Sequence, residues 1–369
     1  MRFIDWLAVF QDHPEGGLPV IGAEMVMRYD LQSGEVTRHS PSMLKMEGSY
    51  STSLLIRCDG FSVTVEGNPS RWHRPDNLFG LRTFEECIRV YNVILLELGL
   101  PPFTKCQKVW FLQDPETKKA RRVSDGAMIR RVDWTRNLSV GQGNVDSFLR
   151  ALSTQSVGKG KFPNLYANGK TVDWSKHSTL WYQKVYSKSA ELEIGQKRLS
   201  KKQTKEENDY LKRLIEYCEE QGIARDEKEF KRAFLNRKNL CFYGLVKEND
   251  FDKYLNDIDN MIARLEMGTV DYETIAEQLL EKEVCKSTQS ANATQAVLHA
   301  WLHGQRMPKK TQFYEHKRRL SVLGIDISVP HDASKSIPQL KRQRIINVST
   351  ALPPSWYDMP KVSNIRLVL

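Results

Sequence analysis

Apolar and polar residues alternate with a period of two through most of the first 80 positions, the spacing of half-buried strands. FIDWLAVF opens the series. Two hairpins follow: EMVMRYDLQSGEVTRHS turns at Ser33-Gly34, and SLLIRCDGFSVTVEG turns at Asp59-Gly60. The period then becomes helical. In TFEECIRVYNVILLELGL, Thr83 and Glu86 form a capping box, apolar residues recur on one face, and Gly99 with Pro101 and Pro102 supplies the stop. KVWFLQD and AMIRRVDWTRNL predict two more strands, a short helix starts at Asn144, and VGKGKFPNLYANGK is a Gly/Lys/Asn-rich loop. TVDWSKHSTLWYQKVYSKSAELE is rich in Thr, Val, Trp and Tyr, which predicts strand. EENDYLKRLIEYCEEQG is a charged helix with a solvated face, and IARDEKEFKRAFLNRK fits strand or helix by pattern alone. Residues 249–323 read as helical almost throughout, ahead of a Lys/Arg-rich, Pro-containing tail. The expected fold class is α+β, an antiparallel sheet with flanking helices plus a C-terminal helical region.

Composition narrows the function. A chain of 369 residues, 40% hydrophobic and 27% charged, is long enough for two modest domains or one large one and is too apolar to stay disordered. No apolar run approaches the ~18 residues of a membrane span. The start MRFIDWLAVFQDHPEGG lacks the basic region and small-residue cleavage site of an export signal. The six cysteines are scattered without a CxxC pair, as in reduced, buried thiols of a cytosol. Lys and Arg exceed Asp and Glu by 55 to 45, a net charge of +10, so a polyanion is the first partner to test. Walker, GxGxxG, HExxH and GxSxG motifs are missing, which disfavours nucleotide-driven motors, dehydrogenases, zincins and serine hydrolases.

The acids and tyrosines carry more information. Asp133 lies in IRRVDWT, Glu191 in YSKSAEL and Glu227 in ARDEKEFK. Each alone fits a satisfied ion pair; three acids from separate strands meeting at one place would suit a hard divalent cation, Mg²⁺ or Mn²⁺. Tyr182 and Tyr186 stand four apart with Lys184 and Lys188 interleaved, and on a strand all four share one face. A tyrosine flanked by lysines is equipped to attack a phosphodiester, since cations favour the phenolate and offset phosphoryl charge. The competing reading is an aromatic sheet face with snorkelling lysines.

Several segments resemble the filamentous-phage replication initiators of the gene II protein and RstA type, the phage rolling-circle replication initiator family. They are VEGNPSRWHRPDNLFG, RRVDWT, TVDWSKHSTLWYQKVYSKSAELE, ARDEKEFK, TQFYEHKRRLSVLGIDI and INVSTALPPSWYDMP, in the family's order across most of the chain. The resemblance implies a rolling-circle initiator fold and a nickase that cuts and rejoins the viral plus strand at its origin through a 5′-phosphotyrosine. It places the nucleophile on Tyr186, with Tyr182 as fallback, Lys184 and Lys188 beside it, and metal candidates on Asp133, Glu191 and Glu227. Related sequences often carry Tyr at Asp173, Gly or Arg at Ser175 and Thr179, and Gln-Gly-His at Arg74-Pro75-Asp76, with His73 as a nearby substitute for the histidine.

Phosphate and base contacts are expected from Arg131, Lys176, His177, Arg225, Asn68 and Asn77. A second candidate DNA surface is AVLHAWLHGQRMPKKTQFYEHKRRLSVLGIDI: two helices broken at Gly304 to Pro308, the second bearing Lys317, Arg318 and Arg319, as in a helix-turn-helix or an ordinary helical hairpin. The expected division is a nicking and joining domain over 1–240, a helical DNA-binding region over 241–330 and a tail over 331–369 that packs back. Supercoiled origin DNA, single-stranded DNA and, from the family, a host helicase and polymerase are the implied partners, in the host bacterial cytoplasm, with an oligomer on DNA compatible. The alternatives are a non-catalytic DNA-binding regulator on the same scaffold and, more distantly, a relaxase or transposase of the same tyrosine chemistry.

Overall fold

The computed structural model describes residues 1–22, 24–48, 50, 52–113, 118, 120–158, 160–199, 204–266, 275–305, 311–331 and 346–361. The chain begins with β1 (Arg2–Asp12) and β2 (Val20–Ile21), then β3 (Met25–Tyr29) and β4 (Val36–Pro41) as a separate hairpin. Next come β5 (Leu44–Glu47), β6 (Ser53–Asp59) and β7 (Ser62–Gly67). The Asp59 carboxylate accepts from the N–H groups of Phe61 and Ser62 at 3.1 and 2.7 Å, and Gly60 takes φ +91°, so the expected Asp-Gly turn closes the β6–β7 hairpin. Helix α1 (Phe84–Glu97) has its capping box: Thr83 Oγ1 accepts from the Glu86 N–H at 3.1 Å, and the Glu86 carboxylate accepts from the Thr83 N–H at 3.0 Å.

A second hairpin, β8 (Val109–Gln113) with β9 (Ala120–Ser124), stands apart from the main sheet. Then follow β10 (Met128–Ser139), α2 (Val145–Leu152), β11 (Pro163–Leu165), β12 (Thr171–Trp174) and β13 (Trp181–Ser187). The strand expected to run on to Glu193 stops at Ser187, and α3 (Lys188–Leu199) begins there; the Ser187 hydroxyl accepts from the Ala190 N–H at 3.4 Å, a helix-start contact that overrides the β-rich composition before it. After α4 (Lys205–Glu220), the ambiguous ARDEKEFK segment is β14 (Ile223–Lys231), and its continuation is α5 (Arg232–Lys238). Helices α6 (Asp257–Glu266), α7 (Ile275–Glu281), α8 (Thr288–Leu302) and α9 (Thr311–Ser321) and the short β15 (Ser349–Thr350) complete the described elements.

Nine strands form the path β11-β12-β13-β14-β10-β1-β7-β6-β2, with β15 on β10 and β5 on β6, an eleven-stranded sheet whose neighbours are all antiparallel. One face is apolar. Leu7, Val9, Val65, Val132, Phe230 and Val185 bury there against Phe84, Ile88 and Tyr91 of α1. Phe251, Leu255, Ile258 and Met261 enter the same core, so the chain beyond residue 240 continues the sheet's packing before α7 to α9 form small cores of their own. All six cysteines are buried and free of disulfides.

The opposite face is covered at one end only. Leu192 of α3, Leu211, Leu214 and Ile215 of α4, and Tyr357 of the C-terminal segment pack on Phe3, Phe79 and Ile223. The middle of that face is polar.

Candidate active site on the open sheet face

Burial alternates strictly along β13. Trp181, Gln183, Val185 and Ser187 are buried, whereas Tyr182, Lys184 and Tyr186 reach the open face. The β13–β14 register sets Tyr186 opposite Arg225, Lys184 opposite Glu227 and Tyr182 opposite Glu229. Unlike charges facing each other across an antiparallel pair attract. Lys184 Nζ lies 2.8 Å from Glu227 Oε1, and the Tyr186 hydroxyl donates to Glu227 Oε2 at 3.3 Å. Burial, then the Glu227 charge, push the Tyr186 phenol well above its ordinary pKa, with Arg225 pulling the other way. The Tyr186 phenol is therefore neutral at rest.

A second group of side chains adjoins the first. A register shift between Ile4 and Trp6 of β1 brings Asp5 onto this face. Asn68 and Asn77 each donate to Asp5 Oδ1, at 2.8 and 3.0 Å. Asn77 Oδ1 in turn accepts from Lys188 Nζ at 2.9 Å, and Lys188 pairs with Glu191 at 2.6 Å. Arg225 is fully buried, donates to the Asn77 carbonyl and lies 3.8 Å from Asp5. Burial and the nearby Arg225 lower the Lys188 pKa, and Glu191 holds it up. Two buried cations are thus compensated by Asp5, Glu191 and Glu227, which all act on the Tyr186 phenol.

Asp133 occupies the neighbouring strand. Arg131 grips it with two donors, Nε at 2.8 Å and Nη2 at 2.6 Å, and the guanidinium lies 5.3 Å from the Trp6 ring centroid. Burial lifts the Asp133 carboxyl to about 7 against the pull of Arg131, helped by the charges of Glu227 and Glu229.

These placements correct several sequence expectations. Lys188 and Glu191 lie on a helix, so Lys188 does not share the Tyr182–Tyr186 strand face. Arg225 is sealed inside and cannot meet a phosphate directly, and Asn68 and Asn77 spend their amides on Asp5. Asp133, Glu191 and Glu227 do not assemble as one ligand trio: among the described residues no three His, Cys, Asp or Glu side chains group as a metal site. The donor chemistry nevertheless suits a hard cation, because Mg²⁺ is commonly held by one or two carboxylates together with substrate phosphate. Asp5, Glu191 and Glu227 are the carboxylates whose charges act on both Arg225 and Tyr186, and Glu191 is held by Lys188.

Other expected residues lie around this centre. Lys176 is exposed with its ammonium 5.4 Å from the Tyr166 ring centroid, and His177 is exposed beside it. The His73 ring lies tilted against that of Trp72, with centroids 4.9 Å apart. Asp76 is buried and accepts from Tyr357 at 2.6 Å and Tyr210 at 2.9 Å, so it fastens the tail and α4 to the sheet. In α9, Lys317 binds Ser328 at 2.9 Å and Asp326 at 3.5 Å, Arg319 is engaged by Glu315 and Thr294, and Arg318 alone of the three is exposed. The break expected at Gly304 to Pro308 lies in part, at 306–308, outside the described residues. Sequence reasoning missed Asp5, whose signal was the paired asparagines of GNP and DNLFG that now hold it.

An antiparallel sheet whose open face presents a tyrosine, lysines and carboxylates, walled by helices and a returning tail, defines a class of phosphodiester-handling candidates. Comparison with known proteins is more specific. The family model for the N-terminal region of the gene II replication-associated protein matches residues 4–249, and that for the C-terminal region of the same protein matches 279–363. The chain is 39% identical over 317 residues to the gene II replication-associated protein of Escherichia phage If1, covering 84% of this chain and 97% of that protein. The chain belongs to this family of phage replication-associated proteins, in agreement with the resemblance carried by the sequence segments.

Proposed function

We propose that this protein initiates phage DNA replication by nicking the plus strand at the origin with Tyr186 and later rejoining the displaced strand. The observation that carries the reading is the contact of the Tyr186 hydroxyl with Glu227, itself paired to Lys184, on an open sheet face. Glu227 takes the phenolic proton as the tyrosine oxygen attacks phosphorus. The bond from phosphorus to the 3′ oxygen breaks, and that oxygen leaves with a proton from Lys184, which recovers one from Glu227 across their 2.8 Å contact. The products are a free 3′-hydroxyl and a 5′-phosphotyrosine. Attack by a 3′-hydroxyl on that linkage reverses the steps and closes a circle, so no nucleotide cofactor is required.

A bound Mg²⁺ or Mn²⁺ would offset charge on the phosphoryl oxygens; with Glu227 committed to Tyr186 and Lys184, Asp5 is the carboxylate that would hold it together with substrate phosphate. Arg131 and Lys176 are the partly or fully exposed cations of the expected DNA contacts nearest this face. The substrate is supercoiled origin DNA in the host cytoplasm, and a host helicase and polymerase extend the free end. Among the described residues no helix is long and apolar enough to cross a membrane.

The test is incubation of the protein and a Tyr186→Phe variant with supercoiled origin plasmid and Mg²⁺, analysed on denaturing gels. Wild type is expected to nick and become attached, the variant to bind without doing either, and a chelator to stop cleavage. Cleavage by the variant, or binding without cleavage by both, overturns the proposal; the second result makes the protein a regulator.

A further inference from the structure

A cluster of arginines lies at the other end of the open sheet face, where the proposed chemistry does not use it. A groove of about 300 Å³ runs between the end of β1, the start of β10, β9 and the start of α5, lined by Phe10, Phe111, Arg121, Arg130 and Arg232. The Arg130 guanidinium stacks 3.4 Å over the Phe10 ring centroid. Arg121 and Arg232 are exposed, and among the described residues none of these three arginines forms an ion pair. Burial first, and then the charges of Arg232, Arg57 and Arg121, push Arg130 down to about 10, with Asp12 opposing. Asp12 is the one carboxylate in the lining, against Arg121, Arg122, Arg130 and Arg232, so the groove is net positive and focuses a field that attracts an anion.

Aromatic surface accompanies the charge. The β8–β9 hairpin leaves Trp110 46% and Phe111 73% exposed, and Phe111 forms part of the groove wall. Duplex DNA offers such rings no base faces, whereas unpaired bases stack on them. The groove is on the catalytic side of the sheet. Arg131, next to Arg130, is six positions along β10 from Asn137, which shares a row with Arg225 and Tyr186. That is about 20 Å of strand at ~3.3 Å per residue.

We infer that this groove is a second DNA site that holds single-stranded DNA about 20 Å from Tyr186, its phosphates on Arg121, Arg130 and Arg232 and a base on Phe111. It places a displaced strand along the same face that carries the tyrosine. The inference concerns binding alone and stands whether or not Tyr186 cleaves.

The test is fluorescence anisotropy of the full chain with a labelled oligothymidine of about 15 nucleotides, and with a duplex of equal length, over a salt series. Arg121→Ala/Arg232→Ala, both at exposed positions, is expected to weaken oligothymidine binding about 10-fold or more and to lower the salt slope by about 1.4. Phe111→Ala is expected to weaken it about 5-fold or more and to leave duplex binding unchanged. Oligothymidine binding needs no cleavage, so this result is read apart from any failure of the nicking chemistry. Unchanged affinity and slope in the arginine variant overturn the inference. So does a loss confined to the duplex.

Discussion

Tyr182 and Tyr186 occupy the same strand and the same face, about 13 Å apart at ~3.3 Å per residue, yet their surroundings differ in kind. Tyr182 donates to Asp173 at 2.8 Å, and the same buried carboxylate accepts from Tyr166 at 3.0 Å and Asn164 at 3.3 Å. Among the described residues no Lys or Arg forms an ion pair with Asp173. Tyr186 shares its carboxylate with Lys184 and faces Arg225 across the strand pair. Burial raises both phenols, and a carboxylate raises each further, Asp173 for Tyr182 and Glu227 for Tyr186; Tyr186 alone has an arginine, Arg225, opposing the shift. Spacing alone makes the two tyrosines equivalent; the proposed division, Tyr186 as nucleophile and Tyr182 as clamp, rests on the cations beside Tyr186.

The largest expected effect tests that division directly. Tyr186→Phe should lower origin nicking by about 10³-fold or more, because the atom that forms the covalent bond is gone, while Tyr182→Phe should cost less than about 10-fold. Quantified nicked product and protein-linked DNA decide it, and the reverse ranking would transfer the role to Tyr182. A smaller loss, about 10²- to 10³-fold, is expected for Glu227→Gln or Lys184→Ala, which remove the proton acceptor or the cation but leave the phenol in place. Retained origin binding in these variants distinguishes lost chemistry from lost affinity.

How much of this is legible in the sequence depends on whether the signal is local. The Thr83/Glu86 capping box, the Asp59-Gly60 turn and the period-two face of Tyr182, Lys184 and Tyr186 are properties of adjacent residues, and all are present. Composition alone puts Lys188 on the strand, whereas a single serine hydroxyl starts α3 there. Asp5 reaches the site through a bulge, which shifts a side chain from its expected face and leaves no periodic trace. For Arg225, Asn68 and Asn77 the sequence indicates the neighbourhood but not the contact, since only tertiary packing brings them onto Asp5. Lys317 and Arg319 read as a basic helix side, and their partners Asp326 and Thr294 come from other elements.

Stability should rank the two tyrosines in the opposite order to activity. Tyr182→Phe leaves buried Asp173 short of a donor, at a cost of about 1–3 kcal/mol. Tyr186→Phe removes a longer, 3.3 Å contact to a Glu227 that keeps Lys184, at a cost of about 0.5–1 kcal/mol. Urea midpoints at constant slope measure both. Equal losses would mean that Asp173 is no more dependent on its phenol than Glu227 is.

The smallest expected effect is a null one. Because both phenols are raised above the unfolded value, the folded state keeps their protons longer than the unfolded chain does. Their contribution to stability is complete below about pH 10 and is lost as pH rises toward the folded values, with a slope of up to ~1.4 kcal/mol per pH unit per tyrosine. Near-ultraviolet tyrosinate absorbance of native protein at about pH 10 should therefore be the same in wild type, Tyr182→Phe and Tyr186→Phe. A drop confined to Tyr186→Phe would show a phenolate already formed at rest. Glu227 would then be unnecessary as proton acceptor, and the contrast between the two tyrosines would lie in ionisation rather than in the cation that awaits the attack.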